Sequence, residues 1–142
     1  MKDSTNNQYF LDPNLIIFLI KRGMAFNTIT QRLKSIGKIY TDVKGLQEIV
    51  YYYHLLGETA LGYENAMTLR NQTEVLSVTN QDILLQESLL DRYPSFPPRE
   101  LLHSAVMLNN KITKVICSPE SLYSEIAFVS VELVLSKLTE QL

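Results

Sequence analysis

One cysteine, Cys117, occurs in the 142 residues. An internal disulfide framework is thereby excluded, and a reducing compartment fits, because structural disulfides belong to oxidising ones. The same scarcity removes any thiolate zinc site, which needs several cysteines at close spacing. Long apolar runs are missing too. The longest, Leu15 to Ile20, stops at Lys21 and Arg22, far short of the ~20 residues of a membrane-spanning helix. Met1 to Gln8 is polar and carries no charged-then-apolar targeting pattern. A cytoplasmic protein with no membrane partner is the expectation. Nor is there a basic excess: the net charge is −2, whereas a domain that binds nucleic acid mainly by neutralising phosphates is ordinarily basic. Carboxylates gathered around a cation would lower the count while the ion inverted the local field. Net charge therefore decides neither way.

What is present is the mixture of an ordinary globular domain, with 46% hydrophobic and 20% charged residues, enough apolar material for one core. One domain over 1–142 is expected, with its core at about 8–133 and tails at 1–7 and 134–142. No repeat or low-complexity tract interrupts it. Short β-rich runs alternate with amphipathic helical ones. Tyr9–Asp12 reads as a strand closed by Asp-Pro, a helix-start signal that continues as a helix over Leu15–Lys21. Thr28–Ile36 predicts a second helix and Lys38–Thr41 a second strand. Val43, Leu46, Ile49, Val50, Tyr53 and Leu56 recur at helical spacing up to Gly57, and Glu58–Arg70 predicts another helix. Glu74–Thr79 is the clearest strand, with a helix over Asn80–Asp91. Three prolines make Tyr93–Pro98 a loop. A helix over Pro98–Asn110, a buried strand at Lys114–Cys117 and a last strand at Phe128–Leu133 complete the pattern. Alternation of this kind implies a three-layer α/β/α fold with a mostly parallel sheet of four or five strands. In such sheets the chemistry collects at the carboxyl ends of the strands.

Asp12 ends the first strand, Glu120 lies just past the Lys114–Cys117 strand, Glu100 opens the helix before it, and Glu48 sits in the helix after the second strand. Each has a plain reading alone. Asp12 suits an N-cap, Glu100 and Glu120 suit helix starts where negative charge meets the dipole, and Glu48 suits a solvent-facing position off its apolar stripe. Gathered together they would repel one another unless a cation shared them. Periodicity alone cannot bring them together.

A family resemblance does. Tyr9-Phe10-Leu11-Asp12-Pro13-Asn14, Thr41 with Leu46-Gln47-Glu48-Ile49, Arg99-Glu100-Leu101-Leu102-His103-Ser104-Ala105, and Val115-Ile116-Cys117-Ser118-Pro119-Glu120 occur in the order of a PIN domain. In particular, the chain resembles the toxin-type, VapC-like ribonucleases of toxin–antitoxin pairs, from Tyr9 to about Leu133. The resemblance implies an endoribonuclease dependent on Mg²⁺ or Mn²⁺. Asp12, Glu48, Glu100 and Glu120 would be metal ligands and catalytic residues, and Asn14 and Thr41 would orient ligands and water from behind them. RNA phosphodiesters would be hydrolysed by metal-activated water. RNA as substrate, an antitoxin protein as partner and a homodimer are implied likewise.

The chain departs from that pattern at several positions. The third and fourth acids are usually Asp, and here both are Glu, each one methylene longer. The family's later acid–aromatic–acid stretch is Leu122-Tyr123-Ser124, which keeps only the aromatic. Mg²⁺ tolerates misplaced ligands poorly, so the alternative is a catalytically weakened PIN domain that binds RNA or protein. Asp42, where a small hydroxyl residue is usual, reads as a helix cap. His103, on an apolar helix face, reads as packing. Tyr51, Tyr52 and Tyr53 point in different directions on one helix, which favours core or interface roles over base stacking. Lys21, Arg22, Arg32, Lys34 and Lys38 form a loosely basic stretch.

Overall fold

The computed structural model describes residues 8–126 and 129–131. The expected tails lie outside these, as do 128 and 132–133 of the last expected strand. The described elements run β1 (Gln8–Leu11), α1 (Asn14–Lys21), α2 (Phe26–Lys34), β2 (Lys38–Asp42), α3 (Val43–Leu55), α4 (Thr59–Gln72), β3 (Glu74–Leu76), α5 (Asn80–Arg92), α6 (Pro98–Asn109), β4 (Lys114–Ile116) and β5 (Ser130–Val131). A 3-10 turn at Tyr123–Glu125 precedes β5. Among the described residues no helix is long and apolar enough to cross a membrane.

All five strands are parallel, in the order β3-β2-β1-β4-β5. Alternation along each strand splits the core into two halves. Leu11, Ile39 and Ile116 face the cluster built by α1 to α4, with Leu15, Ile16, Leu19, Ile29 and Leu33 among its buried members. Phe10, Val115 and Tyr40 face the other cluster, built mainly from α5 and α6. Three layers result, as expected, and the sheet is parallel throughout. From β1 the chain winds out one way through β2 and β3, then returns to lay β4 and β5 on the other side. The carboxyl ends of β1 and β4 thus flank the point where winding reverses, the usual ligand crevice of an open parallel sheet.

Several boundaries move for physical reasons. β3 ends at Leu76 rather than Thr79, because Thr79 caps α5. Its hydroxyl accepts the Asp82 N–H at 3.4 Å, and Asp82 takes the Thr79 N–H at 2.7 Å, a reciprocal box that outcompetes strand propensity. α2 starts at Phe26 instead of Thr28. Beyond Asp12 the helix begins one residue past Pro13, and the Asp12 carboxylate accepts the Asn14 N–H at 2.9 Å. α3 is capped as expected, by Asp42 accepting from Gly45 N at 2.7 Å. Gly45 is also a close-approach point: a Cβ there would lie 2.7 Å from Thr41 Oγ1 and 3.0 Å from Pro13 Cγ. Bare backbone lets the start of α3 settle against the end of β1. Cys117 is half-buried, and its sulfur accepts from the Ser121 hydroxyl at 2.9 Å. Burial pushes the thiol up to about 11.

Candidate metal centre

Asp12 is fully buried at the carboxyl end of β1, and its Oδ1 accepts from Asn14 N and, at 2.5 Å, from Arg99 Nη2. Oδ2 accepts from the Tyr123 hydroxyl at 2.7 Å. Three donors on one carboxylate fix its orientation within a water-poor setting. Burial acts to raise this acid, but the charges of His103 and Arg99 and the two bonds to Oδ1 outweigh it and hold its pKa below the ordinary value.

Glu48 projects from α3 toward the same spot and is mostly covered, with 12% of its side chain exposed. Its Oε2 accepts from Arg99 Nε at 2.8 Å, and its Oε1 pairs with His103 Nε2. His103 is fully buried, and its Nδ1 meets Asp42 Oδ2 at 2.7 Å. A packing role is therefore too modest for His103, whose ring ties two acids together. Burial alone would lower its pKa, but its bonds to Asp42 and Glu48 prevail and push it up to about 9. Three buried or mostly covered acids, Asp12, Asp42 and Glu48, thus face two cations, Arg99 and the imidazolium.

The remaining expected residues sit further out. Glu100 is buried in the first turn of α6, and its Oε1 accepts the Leu122 N–H at 2.9 Å. Burial raises its pKa, with the Leu122 bond opposing. Glu120 is exposed in the turn after β4 and shares a hollow of about 220 Å³ with Glu100, Arg99 and Asn14. Asn14 contacts Asp12 through its backbone. Thr41 is buried and donates to the Leu11 carbonyl at 3.1 Å, pinning β2 beside β1 instead of touching a carboxylate. Among the described residues, Asp12, Glu48 and His103 each offer a ligand atom within 4.8 Å of the others. Of these, the carboxylates of Asp12 and Glu48 could hold a metal ion, whereas a protonated His103 has no lone pair to offer. Arg99, seated between Asp12 and Glu48, is itself a cation accommodated there, so the donor set fits one.

Sequence reasoning missed Arg99, His103 and Tyr123 as site residues. The only available signal was their place inside the motif stretches. The basic stretch also divides. Lys21 lines the site, whereas Lys34 and Lys38 line a hollow where β2 and β3 begin, at the opposite edge of the sheet. A larger hollow of about 600 Å³ lies beside β3, with Gln81, Asn109 and Asn110 on its wall. Its carboxylate, Asp82, is already engaged by Thr79 and Asn109, and no second acid lines it among the described residues.

Ribonuclease VapC23 of Mycobacterium tuberculosis is 25% identical over 112 residues, covering 75% of this chain and 88% of that protein. The structure of VapBC-1 from nontypeable Haemophilus influenzae superposes with a TM-score of 0.68 at 16% identity, covering 88% of this chain and 96% of the other. The chain is similar in sequence to a VapC ribonuclease and shares the fold of the VapBC structures. VapBC2 of Rickettsia felis, solved bound to a DNA fragment from its promoter, gives a TM-score of 0.67 at 12% identity over 88% of this chain and 97% of that one. No family profile matches the VapC-like chain, in keeping with its distance from these relatives.

Proposed function

We propose that this VapC-like PIN domain is an endoribonuclease that works with Mg²⁺ or Mn²⁺, as the toxin of a toxin–antitoxin pair. The observation that carries the reading is the convergence of Asp12, Glu48 and His103 at the carboxyl ends of β1 and β2. Asp12 and Glu48 would hold the ion, with Glu100 and Glu120 contributing from the rim. A bound divalent cation lowers the pKa of a coordinated water and stabilises in-line attack on a phosphodiester. The chain's own residues prepare for that. Asn14 N–H and the Tyr123 hydroxyl orient Asp12, His103 holds one oxygen of Glu48 in place, and Thr41 locks the two strands that carry the site. An antitoxin as partner is supported by the VapC-like fold and by large apolar side chains left in water on α3 and α4, Leu55, Leu61, Tyr63 and Met67 among them.

Incubating unstructured RNA with the protein tests the enzyme. Cleavage is expected with Mg²⁺ or Mn²⁺, stops in EDTA and is lost in Asp12→Asn. Persistent cleavage in Asp12→Asn would remove the reading. A second reading, a weakened domain that binds without cutting, is favoured by Arg99 between Asp12 and Glu48 and by the Glu100 oxygen committed to Leu122. It predicts RNA affinity without turnover under either ion.

A further inference from the structure

On the Glu48 side, the site opens into a groove of about 370 Å³ between α1 and α3. The acid cluster does not explain its composition. Lys44, Glu48, Tyr51 and Leu55 follow one another at i, i+4, i+7 and i+11, so they form one stripe of α3. Lys21, in the last turn of α1, lies across from them with its ammonium 6.0 Å from the Tyr52 ring. Tyr53 is buried at 7%, yet Tyr51 is 61% exposed. A large aromatic ring is thus left in water beside two exposed lysines, and the groove shares Asn14, Glu48 and Arg99 with the catalytic cluster.

We propose that this groove is the track that holds single-stranded RNA on its way to the acids, with Tyr51 stacking on a base and Lys21 and Lys44 meeting the backbone phosphates. The inference rests on the ribonuclease reading and adds to it the form of the substrate and the residues that grip it. Charge and shape both favour this occupant. Two ammonium groups beside carboxylates match a polyanion that must be drawn toward acidic residues. The Tyr51 ring stacks against His54 at 6.3 Å between centroids yet stays 61% exposed; an exposed aromatic surface serves a base only when that base is unpaired, and such stacking tolerates any sequence. Tyr51 lies three residues beyond Glu48, about 4.5 Å along the helix axis, so a base stacked there belongs to a nucleotide next to the reacting phosphate. An acidic peptide would satisfy the lysines and leave the ring without a matching flat partner.

Fluorescence anisotropy with a labelled, unstructured RNA decamer in EDTA measures binding apart from cleavage. The full chain is compared with Tyr51→Ala, Tyr51→Trp and the double variant Lys21→Ala/Lys44→Ala. All three positions are exposed, so melting temperatures should match the parent. Tyr51→Ala is expected to weaken binding by about tenfold or more, and Tyr51→Trp to retain it. The lysine variant is expected to reduce the slope of log affinity against log salt by about 1.4, roughly 0.7 per lost phosphate contact. A duplex of the same sequence should show no dependence on Tyr51. A parent that binds no RNA overturns the inference, as does unchanged affinity in Tyr51→Ala. Self-association that Tyr51→Ala abolishes, with RNA affinity untouched, gives the groove to a second copy of the chain and also overturns it. Cleavage by a parent whose binding ignores all three residues removes the track and leaves the ribonuclease standing. Binding through Tyr51 without metal-dependent turnover keeps the track and removes the enzyme.

Discussion

Arg99 bridges Asp12 and Glu48, donating at 2.5 Å to one carboxylate and 2.8 Å to the other. Two acids that would otherwise repel are thus reconciled by a cation from the chain itself, and any metal must compete with it. Arg99→Ala should therefore lower the stability of the metal-free protein by about 2 kcal/mol, below the full cost of breaking a wholly buried pair because a quarter of the Arg99 side chain meets water. The rise in melting temperature on adding Mn²⁺ should in turn grow. Differential scanning fluorimetry reads both. Equal metal-induced shifts in parent and variant would dispose of the competition.

The alkaline side of the pH–stability curve should belong to His103. Its folded pKa, about 9, lies above the ordinary 6.5, so its contribution in the metal-free chain is fully present below 6.5 and fades as pH climbs toward 9. Asp12, held below its ordinary value, works the other way. Its contribution is present above about 3.9 and disappears as acid protonates the folded carboxylate. Thermal melts in EDTA from pH 5 to 10 should fall on the alkaline limb, and His103→Gln should flatten that limb. A variant that keeps the parent's slope would reassign it.

Tyr123→Phe removes one hydroxyl and leaves Asp12 Oδ2 without its buried donor. The expected loss is about 1–2 kcal/mol, seen as a lower urea midpoint with an unchanged m-value. An unaltered midpoint would mean that the Asp12 oxygen finds another partner.

Gly45→Ala tests the close approach behind the site. Its new methyl would press on Thr41 Oγ1 and Pro13, at an expected cost of about 1–3 kcal/mol for overpacking. RNA cleavage should fall too, since Pro13 follows Asp12 and the displaced helix carries Glu48. Thr41→Ala in the same chain should recover part of the stability. Strictly additive losses in the double-mutant cycle would argue against contact between the two positions.

Much of this molecule could be read from the sequence alone. β1, β2 and β4 were anticipated to within a residue at each end, because their apolar runs stop at turn residues. Asp12 stood out at a strand end, where alone it read as a helix cap, and only the family resemblance made it a candidate ligand. Less came through where one local preference defeated another, as when Thr79 left β3 to cap α5. The site's own charge balance was hidden for a different reason. Arg99 and Asp12 are 87 residues apart, His103 and Asp42 61. Helical periodicity marks the face a side chain leaves from and says nothing of what stands opposite. The exposed ring of Tyr51 was masked likewise, since three consecutive tyrosines look alike until packing buries one and leaves another in water.

Asn14 lines three adjoining hollows, one running toward Lys44 and Tyr51, one toward Glu100 and Glu120, and one toward Phe18 and Ser118. One side chain therefore forms part of the wall of all three. A compact molecule seated on Asn14 would border every one of them, and a bulkier residue at that position would reshape their common wall.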